Sequence, residues 1–224
     1  MEEIINRTAK FDGLILDIDG TIWNTTGIVA VAWNRAIDMS GLKKTYPIKK
    51  VNAQILQQEF GKTMDTIALD LWPELPADKR DMLISECCSE EHVSLNDMTL
   101  DITYPGVVET IRKLSESMNI FVVSNCQDGY IELVISKCGI SDCIKDFECF
   151  GRTGKGKAEN LQLIVQRNQI HSPVYVGDTS GDAEACKQAG IPFAWASYGF
   201  GKVDDDDCIA KLSKFSDLIE VLFD

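Results

Sequence analysis

The sequence predicts a doubly wound parallel α/β sheet carrying a helical insertion after its first strand. Three observations predict it. The short apolar runs "GLILDIDGT" (13–21), "NIFVVSNCQ" (119–127) and "PVYVGDTSGD" (173–182) each end in polar, turn-forming residues, and a helical pattern follows. The runs are continuous rather than alternating, which suits parallel strands covered on both faces. Between the first two runs, residues 23–100 contain no strand-like segment and read as helices.

Each element has its own warrant. The first strand closes on carboxylates. Residues 27–39 then place Val29, Ala32, Trp33, Ala36 and Ile37 on one stripe and stop at Gly41. Further helices are expected from Pro47 to about 59, over 63–71, and after Pro76 over 77–92. The sheet resumes with a helix over 105–117, where Val107, Val108, Ile111 and Leu114 share a stripe after a proline start. The second strand leads to a helix over 128–138 that ends at Gly139. "FECF" (147–150) reads as a strand, 157–168 as a helix bearing Leu161, Ile164 and Val165, and 181–189 as a helix closed by Gly190. "PFAWAS" (192–197) is a last strand. Strands alternating with helices imply right-handed crossovers. Residues 1–22 and 101–224 are therefore assigned to an α/β core, and 23–100 to the helical insertion.

Composition narrows the function classes. Of the 224 residues, 45% are hydrophobic and 25% charged, which supports a core and excludes disordered and fibrous chains. A net charge of −13 opposes nucleic-acid and anionic-membrane partners. It still permits a small anionic substrate where a metal and a few cations reverse the local field. No run approaches the roughly 20 apolar residues of a membrane span. The opening "MEEIINRTAKFDGLILD" is too acidic for a secretory leader, so a cytoplasmic location is expected. The eight cysteines form no C-x-x-C pair and are expected to be free, mostly buried thiols. His92 and His171 offer no zinc spacing. The acidic run Asp204–Asp207 reads as a solvated loop.

In open parallel sheets ligands sit beyond the carboxyl ends of the strands, so the residues placed there are the functional candidates. The first strand delivers Asp17 and Asp19, which alternate with Ile18 and so share a side, followed by Gly20 and Thr21. The second delivers Ser124 and Asn125. The third apolar run delivers Asp178, with Asp182 at the start of the next helix, and Lys157 opens the helix before that run. Taken singly, each piece reads equally as turn chemistry or a helix cap, with Thr179 or Ser180 as the capping residue. Taken together they suit one task. Clustered carboxylates repel unless a cation sits among them, and an all-oxygen set suits Mg²⁺. A hydroxyl, backbone N–H groups and an ammonium can hold phosphate oxygens. One carboxylate can then attack phosphorus while a second moves protons.

The strings "DIDGT" (17–21), "VVSN" (122–125), "GKGKAEN" (154–160) and "VGDTSGDAEACKQAG" (176–190) resemble the haloacid dehalogenase superfamily, in its phosphoglycolate phosphatase-like branch. The resemblance implies a Rossmann-like core with a helical cap inserted after the first strand. It implies a Mg²⁺-dependent phosphatase acting on a small phosphorylated metabolite through an aspartyl-phosphate. By residue, it implies Asp17 as nucleophile and Asp19 as general acid/base. Asp17, the Asp19 carbonyl, Asp178 and Asp182 would hold Mg²⁺, the last directly or through water. Ser124, the Asn125 backbone and Lys157 would hold the phosphoryl oxygens. Lys155 competes with Lys157, which is preferred because it opens its helix directly. Ile22 and Trp23 stand where many relatives carry Leu-x-Asp. Asp19 favours phosphate over carbon–halogen chemistry. The cap is expected to close over the site and set selectivity, with Gly61 and Lys62 beside Phe60 as a candidate substrate loop. Trp23, Trp33 and Trp72 are expected in the cap core. The alternatives are a sugar-phosphate mutase and a non-catalytic phosphate-binding module on the same fold.

Overall fold

A computed structural model describes residues 7–224. Residues 1–6, part of the opening stretch weighed as a leader, lie outside the described residues. In chain order the elements are β1 Gly13–Leu16, α1 Thr26–Met39, α2 Ala53–Glu59, α3 Met64–Leu71, α4 Ala77–Asp97 and α5 Val107–Ser115. Then come β2 Asn119–Ser124, α6 Tyr130–Lys137, β3 Ile144–Cys149, α7 Phe150–Thr153, α8 Lys157–Arg167 and β4 Pro173–Gly177. The chain closes with α9 Ser180–Ala189, β5 Phe193–Ala196, β6 Ala210–Leu212 and α10 Leu218–Leu222. It divides into two compact units, Met1–Asn24 with Ile102–Asp224, and Thr25–Asp101.

The first unit is built on a six-stranded parallel sheet in the order β3-β2-β1-β4-β5-β6. β1 is central, so both its faces meet protein, and Leu14, Ile15 and Leu16 are fully buried. Its register pairs Leu16 with Val122 of β2 and with Val176 of β4. The chain works outward from β1 through β2 to β3, crosses back by way of α8 to β4, then works outward again. The order thus reverses between β1 and β4, where such sheets open a crevice at their carboxyl ends. On one face Ile15, Phe121, Val123 and Tyr175 pack with Leu161 and Ile164 of α8 and with Ala183 and Cys186 of α9.

Local chemistry sets the helix ends. α5 starts after a left-handed Gly106 and buries Val107, Thr110, Ile111 and Leu114. α9 starts on a capping box, in which Thr179 accepts from the Asp182 N–H and the Asp182 side chain accepts from the Thr179 N–H. It stops at a left-handed Gly190. The second unit packs α1 along α4. Its interior groups Trp33 with Phe60 and Trp72, and the Trp33 indole N–H donates to buried Glu91 Oε2 at 2.7 Å.

Some boundaries differ from the sequence reading. α2 begins at Ala53, not just after Pro47, because Asn52 supplies its cap by accepting from the Ile55 N–H. α4 continues past 92 to Asp97. β3 starts earlier than "FECF", at Ile144, and Phe150 already belongs to α7. β3 lies at the sheet edge, where Lys145 and Asp146 break the apolar run. β6 was not expected; it is only three residues long. All eight cysteines are free, and Cys87, Cys126, Cys143, Cys149 and Cys186 are buried. Asp205–Asp207 form an exposed 3-10 turn. Among the described residues no helix is long and apolar enough to cross a membrane.

Candidate active site

The β1–β4 crevice collects the acids. Asp17 follows β1 directly, and its N–H donates to the Val176 carbonyl of β4 at 2.9 Å. Beyond it the chain folds tightly: the Thr21 and Ile22 N–H groups both donate to the Ile18 carbonyl, and the Gly20 N–H donates to Trp23. Ile18, between the two acids, is fully buried. Asp178 follows β4 and is fully buried. Its Oδ2 accepts from the Phe200 N–H at 2.7 Å, and its carbonyl accepts from the Trp195 indole at 3.1 Å. Glycines make room for it. Gly20 has φ +82°, and a Cβ there would land on the Asp178 carboxylate; at Gly199 a Cβ would meet Asp178 Cβ and the Gly20 carbonyl.

Asp182 serves two structures. Its Oδ2 accepts from the Thr179 N–H at 2.9 Å, the Thr179 hydroxyl at 2.7 Å and the Asp178 N–H at 3.2 Å. Its Oδ1 accepts from Lys157 and from the Tyr175 hydroxyl. The capping expected of "GDTSGD" is therefore present, with Thr179 as the capping residue, and the same Asp182 carboxylate also meets Lys157. Lys157 opens α8 and is buried, with Nζ 3.0 Å from Asp17 Oδ1. Lys155 is exposed.

Asp17, Asp178 and Asp182 each present one carboxylate oxygen, and the three lie within 4.8 Å of one another, all buried. Against them stands the ammonium of Lys157. Burial, with Asp182 adding to it, pushes Asp17 up to about 6 against the pull of Lys157. Burial and its two acidic neighbours hold Asp178 well above the usual carboxylate range. Asp182 is buried too, but Lys157 and the Thr179 bonds outweigh that and hold it low. Burial opposes the charge of Lys157, yet the two carboxylates raise its pKa. Asp178 Oδ1 is buried with no hydrogen-bond partner. A buried acceptor without a donor, among acids that repel, is what a cation would satisfy. The donors are all oxygen, so the set fits Mg²⁺.

The other candidates fall as follows. The Asp19 carboxylate stands outside this triad and accepts from the Tyr130 hydroxyl at 2.9 Å on both oxygens. Ser124 closes β2, buried, with Asn125 next to it. Gly61 and Lys62 belong to the second unit. Lys62 Nζ donates to Glu59 and Asp70 at 2.8 Å each, so its charge is paired within that unit.

The family model for haloacid dehalogenase-like hydrolases matches residues 14–196. The chain belongs to this family. A phosphoglycolate phosphatase of Aquifex aeolicus is 21% identical, covering 93% of this chain and 95% of its own. Among solved structures, a Haemophilus somnus protein named as a predicted phosphoglycolate phosphatase superposes with TM-score 0.81 at 17% identity, covering 94% of this chain and 97% of its own. A haloacid dehalogenase-like family hydrolase from Streptococcus pneumoniae gives TM-score 0.74 at 14% identity, over 94% and 97%. These likenesses show the fold. For a haloacid dehalogenase-like chain, Tyr130, Tyr175, Trp195 and the Gly199–Phe200 turn are additions that the sequence reading missed. Only "GFG" (199–201), glycines clustered after a strand, offered a signal for any of them.

Proposed function

We propose that this chain is a Mg²⁺-dependent phosphatase of small phosphorylated metabolites, working through an aspartyl-phosphate on Asp17. The observation that carries the reading is the buried triad of Asp17, Asp178 and Asp182 around Lys157. In the proposed cycle an Asp17 oxygen attacks phosphorus and the ester P–O bond breaks, while Asp19 gives its proton to the leaving alkoxide. Water then attacks the same phosphorus, its proton passes to Asp19, and the bond to Asp17 breaks, releasing phosphate. Lys157, the Ser124 hydroxyl and the Asn125 N–H are assigned to the phosphoryl oxygens. Asp17, the Asp19 carbonyl and Asp178 would hold Mg²⁺, with Asp182, whose oxygens already accept bonds, behind them. The ion would neutralise the charge that develops on the transferring group.

The name borne by the Aquifex relative makes phosphoglycolate the first substrate to try. A phosphate-release screen across phosphorylated metabolites with Mg²⁺ tests the reading, using Asp17→Asn as control. Release that needs Mg²⁺ and vanishes in Asp17→Asn supports it. Release that persists in Asp17→Asn removes the nucleophile, and isomerisation of a hexose phosphate without free phosphate replaces hydrolysis by transfer.

A further inference from the structure

We infer that Tyr130 is a positioning residue for Asp19, clamping its carboxylate where proton transfer to the leaving group requires it. The inference rests on the role proposed above for Asp19. Asp19 lies beyond the end of β1, outside the regular sheet. Its backbone is fixed by the turn in which the Gly20 N–H donates to Trp23 and Asp19 bridges to Trp23. Those contacts leave the side-chain torsions open. The Tyr130 phenol constrains them, since one hydroxyl shared between both carboxylate oxygens at 2.9 Å sets the direction in which the group points.

The clamp is itself braced. Tyr130 opens α6 behind a left-handed Gly129, and its N–H donates to the Gln127 carbonyl. It is 1% exposed, and its ring meets Trp23 edge-on, with centroids 6.0 Å apart. A closed circuit results: Asp19 through the turn to Trp23, from Trp23 through the ring contact to Tyr130, and from the hydroxyl back to Asp19. The connection from β2 to α6 thus carries three of the groups, since Ser124 and Asn125 begin it and Tyr130 ends it. A general acid must lie within hydrogen-bond reach of the atom it protonates, and misplacement by about 1 Å can cost on the order of a hundredfold.

The test measures kcat/KM on the full chain with Mg²⁺, comparing an alkyl phosphate with 4-nitrophenyl phosphate. This quantity reports steps up to formation of the phospho-Asp17 bond. An alkoxide needs a proton in that step, whereas nitrophenolate leaves without one. Tyr130→Phe removes only the hydroxyl. Expected is a loss of about tenfold or more on the alkyl ester and a several-fold smaller loss on the aryl ester. Trp23→Phe, which keeps the hydroxyl and loosens its brace, is expected to move the same ratio less far in the same direction. Equal losses on both esters in Tyr130→Phe, or no loss, would overturn the inference while leaving the phosphatase reading intact. Asp19→Asn separates the two ideas. If it shows no preference between the esters, the acid role falls, and the clamp falls with it.

Discussion

Lys157 and Asp17 meet at 3.0 Å with both side chains almost wholly out of solvent. The same ammonium also serves Asp182, so one cation stabilises two buried anions. Lys157→Ala leaves both without a counter-charge, although Asp182 keeps its bonds from Thr179, Asp178 and Tyr175. Removing one partner of a buried ion pair costs about 3–5 kcal/mol, and that loss is expected in urea denaturation without metal. Saturating Mg²⁺ should recover part of it, because the ion can stand against the same carboxylates.

The raised acids give a pH dependence with a definite sign. Asp17 is held at about 6 against an ordinary 3.8, and Asp178 is raised as well. Between these values the folded chain keeps protons that the unfolded chain has lost, so metal-free stability falls as pH rises. Asp182 is shifted down and Lys157 up, so neither changes its contribution between about pH 5 and 7.5. Melting temperatures in chelator are expected to decline across that window. The rise in Tm on adding Mg²⁺ should be larger at pH 7.5 than at pH 5, since binding requires deprotonated ligands.

Two glycine substitutions separate space from backbone strain. Gly199→Ala is purely steric, placing a methyl against Asp178 Cβ and the Gly20 carbonyl. Gly20→Ala adds the strain of a positive φ to its collision with the Asp178 carboxylate. Overpacking costs about 1–3 kcal/mol. Both variants should therefore lose stability, Gly20→Ala more, and both should weaken the Mg²⁺-induced Tm shift.

Much of this was legible in sequence because parallel strands concentrate their polar residues at one end. Asp17 and Asp178 each follow an unbroken apolar run, and the structure brings their carboxylates together with that of Asp182. The parallel sheet and most helices were legible for the same reason, whereas the strand order was not. Side-chain partners were not. Nothing in "GYIELV" says that Tyr130 returns to a loop 111 residues earlier, and nothing in "EEHVS" says that Glu91 is buried against Trp33. Both contacts depend on the rotation of a helix about its axis, which periodicity fixes only for its apolar face. Lys62 is paired by Glu59, three residues before it, and by Asp70, eight residues on, which the turn between α2 and α3 brings back to it.

Glu91 offers a test within the second unit. Glu91→Ala strips the Trp33 indole of an acceptor in a dry interior, and an unsatisfied buried donor costs about 1–3 kcal/mol. Glu91→Gln keeps an acceptor and should cost less in the same denaturation experiment.

The chain leaves the sheet-bearing unit and returns to it through segments bonded to each other. The Asn24 N–H donates to Ile102, the Tyr104 N–H donates to Ile22, and Trp23 bridges antiparallel to Thr103. To the rest of that unit, everything between is the tip of a hairpin whose stem is already zipped. Loop-closure entropy grows only slowly with the length of chain so enclosed. The stem is thus a natural splice point: helical modules of quite different size could be exchanged there by recombination while the acidic triad, assembled on the far side of the junction, is inherited unchanged.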